Sequence, residues 1–407
     1  MEDYKEHTQC RICKSDNMTE YLDLGHLPLS NKLCNSMIEF PKRYPLKVML
    51  CNNCGLSQLS IVVDPHLMFD HYVYRSSISK TYRDHCKQMA YDLAIQYKFE
   101  VGMLHIDIAG NDGTLLSAFQ SIMDKNRMLN IDPAENLAEI SKANKIPTIT
   151  KFWSKELALE IVDKYGKADL VTATNVFAHV DEVYDFMRGI ELVLSNKGVC
   201  ILEFPYLIDF IEKNEFDTIY FEHLSYFSIR PLLLLCNEVN LFVNKVEHFD
   251  IHGGSLRVHI GHKSDLDSSV LSYINKEAEY RYLAPYKEFA RISKNTITDF
   301  WNKISKLFSK YKIAGFAASA KGNTLLNCAG IGFPMLQYIV DETPEKIEYF
   351  SPGTHLVIKP LSYLIENPPD YLVILSWNFS DEIIEKCKRI GYKGKFVIPI
   401  PTPIILD

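Results

Sequence analysis

The sequence predicts an α/β protein built on a doubly wound, mostly parallel sheet, flanked by a small metal-stapled N-terminal segment and a C-terminal Rossmann-like α/β unit. Three observations predict it: two CxxC knuckles near the N-terminus, short apolar runs alternating with helical periods from Val101, and the same alternation resuming at Lys312. A chain of 407 residues that is 47% hydrophobic also exceeds one core, because single cores stop growing near ~250 to 300 residues.

The knuckles are Cys10-Arg-Ile-Cys13 and Cys51-Asn-Asn-Cys54, separated by 37 residues. Each CxxC turn sets two sulfurs on one side. Four thiolates close a tetrahedral site with no open position for chemistry, so a structural zinc ion is expected on Cys10, Cys13, Cys51 and Cys54. A redox pair is the lesser reading, because the second knuckle completes a ligand set. The other six cysteines stand singly in largely apolar contexts and read as small buried hydrophobes.

Charge narrows the partners. Against 44 Lys+Arg stand 51 Asp+Glu, a formal net charge of -7, which supplies no general attraction for nucleic acid. Met1 to Gln9 is charged and polar rather than a signal-peptide apolar run, and no segment holds about 18 uninterrupted apolar residues. A soluble, cytoplasmic protein without a membrane partner is expected.

Pro65 to Lys87 is helix-compatible and aromatic, with Tyr72, Tyr74, Ser76 and Ser77. It reads either as a lid over a cleft or as ordinary helix packing, and composition favours packing.

Leu104 to Ala109 reads as the first strand of the doubly wound sheet, Gly110-Asn-Asp-Gly113 as its turn, and Thr114 onward as a helix. Ligands sit at the carboxyl ends of such strands. Small residues at Ala109, Gly110 and Gly113 admit a ligand to the backbone, and Asp107 can meet a cationic or amine-bearing group. The next strand, Met128 to Asp132, ends in a carboxylate at ~20 residues beyond the turn, the spacing for a ribose contact. NAD and S-adenosylmethionine share this arrangement, and the GxGxxG run that favours NAD is absent. Asp132 also reads as a helix N-cap. A fourth strand, Ala168 to Asn175, leads to His179, and a fifth runs from Gly198 to Glu203.

Phe216 to Phe227 packs ionisable and aromatic side chains outside any amphipathic period. Tyr220, Glu222 and His223 together can hold a base, orient it and stabilise a developing oxyanion. Val270 to Tyr311 then reads as a helical connector, lacking Gly and with Pro285 alone. Beyond it, Lys312 to Ser319, Gln337 to Asp341, Tyr371 to Trp377 and Lys395 to Pro399 read as strands. Gly322 to Ala329 reads as a turn entering a helix. At the Ala317-Ala-Ser-Ala-Lys-Gly322 turn, backbone N–H groups and Lys321 can receive phosphate charge; a small-residue packing turn with a solvated lysine is an equal reading.

The order of these motifs resembles the sugar C-methyltransferases that act on nucleotide-linked deoxysugars. The resemblance covers nearly the whole chain and rests on the paired knuckles, Ile106-Asp-Ile-Ala-Gly-Asn-Asp-Gly-Thr-Leu-Leu116, Ile131-Asp-Pro-Ala134, Asn175 to His179, and Asp217 to Phe227. It continues through His252-Gly-Gly-Ser-Leu-Arg257, Ala317 to Leu326, Ser351-Pro-Gly-Thr-His355 and Ser376-Trp-Asn-Phe379. It implies a zinc-binding domain over residues 1–75, a class I methyltransferase domain over 76–265, a connector over 266–311, and a Rossmann-like nucleotide-sugar-binding domain over 312–407.

The implied activity is S-adenosylmethionine-dependent methylation of carbon in a nucleotide-linked 4-keto-deoxysugar. Its implied base is His223, with His179 as rival, and Tyr220 and Glu222 position the sugar or stabilise charge. Asp107, Ala109, Gly110, Asn111, Gly113, Asp132 and Asn175 are expected at the cofactor. Tyr74, Ser319, Lys321, Asn323, His355 and Asn378 are expected at the substrate. Phe221 stands where the family usually has histidine, and Ala109 replaces the first glycine of the cofactor turn. O- or N-methylation on the same scaffold, or a non-catalytic zinc-stapled binding protein, are the competing readings.

Overall fold

The computed structural model describes residues 3–70, 72–123 and 126–407. The N-terminal region pairs β1 (Tyr4–Glu6) with β5 (Ile61–Val63). Beside it lies a small antiparallel sheet of β2 (Met18–Pro28), β3 (Arg43–Cys51), β4 (Ser57–Leu59) and the later β11 (Ser225–Tyr226), in the order β11-β4-β3-β2. Strand β3 alternates between buried and half-exposed positions, as expected when one face of an antiparallel sheet is covered.

The central sheet contains β6 (Leu104–Ile108), β7 (Arg127–Ile131), β8 (Thr148–Ile149), β9 (Ala168–Thr174), β10 (Leu194–Pro205), β12 (Phe242–Phe249) and β13 (Ser255–Gly261). Their spatial order is β12-β13-β10-β9-β6-β7-β8, parallel from β8 to β10 and with β13 antiparallel to both neighbours. The order reverses at the β6–β9 junction, the switch point beside which ligands sit. All five residues of β6 are buried, which explains its unbroken apolar reading apart from His105 and Asp107. The β12–β13 hairpin was not anticipated, because polar residues interrupt its pattern. Arg257 of β13 is buried by pairing with Glu203 of β10, its Nε 2.9 Å from Oε2, while His85 meets the other oxygen at 2.6 Å.

The C-terminal sheet comprises β14 (Ile313–Phe316), β15 (Ile339–Asp341), β16 (Ile358–Pro360), β17 (Tyr371–Ile374), β18 (Lys395–Ile398) and β19 (Ile404–Leu406), in the order β16-β15-β14-β17-β18-β19. It is parallel except for the β19 edge. The helix after β14 starts at Ala320, two residues before the expected turn ends, because the Ser319 side chain accepts from Gly322 N and caps it. The connector is a helix over Ser268–Lys276 and a long helix over Leu283–Phe308. Pro285 falls in the latter's first turn, where its missing N–H costs nothing. Tyr286 and Phe289 of this helix meet Tyr21 of β2, at ring-centroid distances of 5.0 and 6.5 Å, and one continuous apolar core joins the three regions. No helix among the described residues is long and apolar enough to cross a membrane.

Candidate active site

A cavity of about 930 Å³ lies where the carboxyl ends of the central and C-terminal sheets face each other. Asp107 to Asn111, Ile131 to Ala134 and Thr174 to Val176 form its wall on the central side, and Phe316, Ala317, Asp341 and Ser376 face them from the C-terminal side. The N-terminal region adds Asn31 and Val62 to Pro65, a contribution with no signal in the sequence.

The two sheets build their first turns alike. Strand β6 ends at Ile108 and Ala109 enters the left-handed region at φ 54°; after β14, Ala317 does the same at φ 73°. Ala109 N donates to Ile131 O, and Ala317 N to Val340 O at 2.8 Å. An aspartate then braces each turn: Asp132 accepts from Asn111 N at 2.9 Å and Ala134 N at 2.9 Å, and Asp341 from Ala318 N at 2.7 Å and Thr343 N at 2.8 Å. Asp132 therefore acts as a helix-entry brace while still lining the cavity. Burial pushes its carboxyl up to about 6.

Asp107 is buried under the turn, where its Oδ1 accepts from Thr172 Oγ1 at 2.7 Å and Oδ2 has no partner. Burial pushes this carboxyl up to about 7. A Cβ on Gly110 would overlap the side-chain oxygens of Asp107 and Asn130, so glycine is required there. Gly113, at φ 78°, starts the next helix against Ser141 and does not line the cavity; its role is the turn.

The segment Tyr72 to Ser79 lies across this turn. Ser76 N donates to Asn111 Oδ1 at 3.0 Å, Ser77 N to Asp112 Oδ2 at 3.0 Å, and Asn111 Nδ2 to Tyr74 O at 3.2 Å. Tyr72, Tyr74 and Ser76 line the cavity, and the helix Lys80–Tyr97 begins only after them, capped by Ser79. His71, within the stretch read from the sequence, lies outside the described residues.

His179, Tyr220 and His223 converge on the same wall. The Tyr220 hydroxyl lies 2.8 Å from His223 Nε2, and His223 Nδ1 lies 2.8 Å from the Thr218 carbonyl. A carbonyl only accepts, so Nδ1 carries the proton and Nε2 accepts from Tyr220. The His179 ring stacks between Phe69 and His223, at centroid distances of 5.7 and 5.1 Å. Burial holds His223 well below the ordinary imidazole range and His179 down to about 4, so both are neutral. Burial also raises the Tyr220 phenol, which stays protonated.

Four expected site residues lie elsewhere. Gly113 is described above. Glu222 is buried behind the wall and does not itself line the cavity; Asn31, which does, donates from Nδ2 to its Oε1 at 3.0 Å, and burial pushes the Glu222 carboxyl up to about 7. Asn323 is held inside by donating to Pro352 O at 3.0 Å and accepting from Asn327. His355 packs against Phe40, 5.4 Å between ring centres. Ser319, Lys321 and Asn378 do line the cavity, as does Asn175. Lys321 is neither solvated nor free, because its ammonium is 3.0 Å from Glu215 Oε2. His252 and Tyr82 are also on the wall and were not assigned from sequence.

The four knuckle sulfurs lie within 4.8 Å of one another, the Cys10–Cys54 and Cys13–Cys51 pairs each at 3.4 Å. This convergence of four thiols fits one tetrahedral ion. Arg11, inside the first knuckle and fully buried, donates from Nε to Asp181 Oδ1 at 3.1 Å, and Tyr184 OH donates to Ile12 O at 2.8 Å. The knuckle thus grips the chain immediately after His179.

Family profiles match three successive stretches: a zinc binding domain at residues 10–69, a methyltransferase domain at 80–246 and a C-methyltransferase C-terminal domain at 250–401. The chain is 29% identical to the C-methyltransferase NovU of Streptomyces niveus, over 98% of this chain and 97% of that protein. The chain is an S-adenosylmethionine-dependent methyltransferase.

Among solved structures, magnesium protoporphyrin IX methyltransferase ChlM from Synechocystis PCC 6803 is 12% identical, with 44% of this chain and 79% of that one covered and a TM-score of 0.34. A methyltransferase from Anabaena variabilis is 16% identical, with 44% and 84% covered and a TM-score of 0.35. In this methyltransferase the four-cysteine cluster supplies the zinc-binding set. The unpartnered, buried Asp107 Oδ2 at the cavity wall suits the cationic amine of S-adenosylmethionine, so the residues present fit the cofactor.

Proposed function

We propose that this methyltransferase methylates carbon in a nucleotide-linked 4-keto-deoxysugar. The observation that carries the reading is the Tyr220–His223–Thr218 relay: a neutral imidazole with its basic nitrogen beside a protonated phenol, facing one cavity that spans both sheets. A ketone acidifies the neighbouring C–H, and a base and an oxyanion donor are what its removal requires.

In this reading Asp107, Ala109, Gly110, Asn111, Asp132 and Asn175 would hold S-adenosylmethionine, which would supply an electrophilic methyl group and leave as the neutral thioether, its sulfur keeping the electrons of the broken sulfur–methyl bond. His223 Nε2 takes the proton from the carbon beside C4. The electron pair passes to the C4 oxygen, where Tyr220 OH turns to donate, and the pair then returns to form the new carbon–carbon bond. His179, stacked on His223, keeps that ring in plane and is the alternative proton acceptor. Tyr74, Ser319 and Asn378 contact the substrate, and backbone N–H groups at Ser319 to Lys321 meet its phosphates. Residues 1–75 carry the metal, 76–265 the methyl donor and 312–407 the nucleotide, with 266–311 as connector.

The test is incubation with S-adenosylmethionine and a panel of nucleotide-linked 4-keto-6-deoxyhexoses, read by mass spectrometry. At least one member is expected to gain one methyl group. A panel left unmethylated by protein that binds S-adenosylmethionine would shift the reading to a different acceptor.

A further inference from the structure

We infer that Lys321 and Trp377 of the C-terminal domain are positioning residues for His223: they hold the turn whose Thr218 carbonyl orients the imidazole, and the Lys321 ammonium is not a phosphate ligand. The inference rests on His223 being the base.

The turn is the short 3-10 segment Phe216–Thr218, preceded by Glu215 and followed closely by Tyr220 and His223. Both of its carboxylates are buried and both face the C-terminal domain. Lys321 Nζ lies 3.0 Å from Glu215 Oε2 and 3.5 Å from the His252 carbonyl. Trp377 Nε1 donates to Asp217 Oδ2 at 2.8 Å, and Lys321 Nζ sits 5.3 Å from the centre of the Trp377 ring. One lysine and one indole thus tie the two acids flanking Phe216. Glu215 Oε1 and Asp217 Oδ1 are buried without a partner, and beyond Lys321 the Glu215 carboxylate meets the Thr218 hydroxyl at 3.5 Å, a contact within the turn itself.

Electrostatics argue against a phosphate at this ammonium. A diphosphate beside Lys321 would stand next to the Glu215 carboxylate that already neutralises it, and Asp217 lies close enough to interact with the same lysine. Burial pushes Asp217 up to about 6, although Lys321 and the Trp377 hydrogen bond both favour its anion. The consequence reaches the imidazole through one hydrogen bond. If the turn relaxes, Thr218 O moves away from His223 Nδ1, the tautomer is no longer fixed, and Nε2 is no longer reliably the basic nitrogen.

The experiment compares Lys321→Met, Lys321→Arg and Trp377→Phe with the parent, each as the full-length, zinc-loaded protein. Steady-state rates are measured on whichever panel acceptor is turned over, with UDP, GDP, ADP and dTDP affinities measured separately. Lys321→Met is expected to lower kcat at least ten-fold while acceptor KM and nucleoside diphosphate affinity change less than two-fold. Trp377→Phe should give the same pattern, less severely, and Lys321→Arg should recover most of kcat. Histidine 15N spectra of the protein with S-adenosylmethionine should show a protonated His223 Nδ1 in the parent and its loss in Lys321→Met and Trp377→Phe, a readout that needs no acceptor. A ten-fold rise in KM or loss of nucleoside diphosphate affinity with kcat retained overturns the inference and makes Lys321 a phosphate ligand. Unchanged histidine spectra in a folded Trp377→Phe overturn it also, even if Lys321→Met fails to fold. If the parent binds no nucleoside diphosphate, the nucleotide reading of the substrate fails, and the histidine spectra still decide this one.

Discussion

His223 Nδ1 donates to the carbonyl of Thr218 across 2.8 Å, and that one bond fixes which ring nitrogen faces the cavity. The basic nitrogen is left to meet Tyr220. His223→Ala should therefore lower turnover by roughly 10²- to 10⁴-fold, the usual worth of a positioned base. Binding of S-adenosylmethionine, followed by calorimetry, should remain within two-fold of the parent. The same change at His179 should cost less.

On the proposed assignment of Asp107 to the cofactor amine, the methyl-donor site acquires a pH dependence. Burial pushes this carboxyl up to about 7, so it is protonated below that pH and an anion above it. A cationic amine is held by the anion, so affinity for S-adenosylmethionine should strengthen as pH rises through about 7. Asp107→Asn should flatten the profile and weaken binding at pH 8. Calorimetric titrations from pH 6 to 8 check both.

Ala109 occupies a left-handed position, φ 54°, that costs an L-residue roughly 1–2 kcal/mol. Glycine removes that strain but gives back ~0.4–1 kcal/mol through the freer unfolded chain. Ala109→Gly is thus expected to stabilise the protein by about 0.5–1 kcal/mol, measured by urea unfolding. Ala317, in the matching turn of the C-terminal sheet, should respond likewise.

The zinc knuckle and the active site share a contact. Removing the metal by chelation should release Arg11 from Asp181 and Ile12 from Tyr184, loosening the chain after His179. Hydrogen exchange should rise at residues 10–13 and 177–184 together, with loss of turnover. Arg11→Met should reproduce the second change while keeping one zinc per chain, as measured by elemental analysis.

The central strands of both parallel sheets were readable because their residues are buried on both faces and so run apolar, whereas β8, β16 and β19, two or three residues each at sheet edges, were not. The knuckles were readable because CxxC spacing is local. The β12–β13 hairpin was not, since the polar Arg257 and His259 interrupt its pattern and are buried by pairing with Glu203 and Glu247 on the neighbouring strands. The Lys321 ion pair was not legible either: its partner Glu215 stands 106 residues away in sequence, so the turn alone left a phosphate contact and a packing lysine as equal readings. Asn323 and His355 belong to motifs recognisable in sequence, but that Asn323 donates to the Pro352 carbonyl and His355 meets the Phe40 ring, both outside the cavity lining, has no local signal. Asn31 and the Val62 to Pro65 wall are tertiary contributions that no local pattern announces.

The most direct test of base-assisted carbon methylation is NMR of the product formed in deuterated water from a methylated panel sugar. The new methyl is expected on the carbon beside C4, with the hydrogen that carbon carried released to solvent, and solvent deuterium is expected to enter that position when the methyl donor is withheld. A methyl group on oxygen or nitrogen, with the C–H beside C4 intact and no exchange, would contradict it.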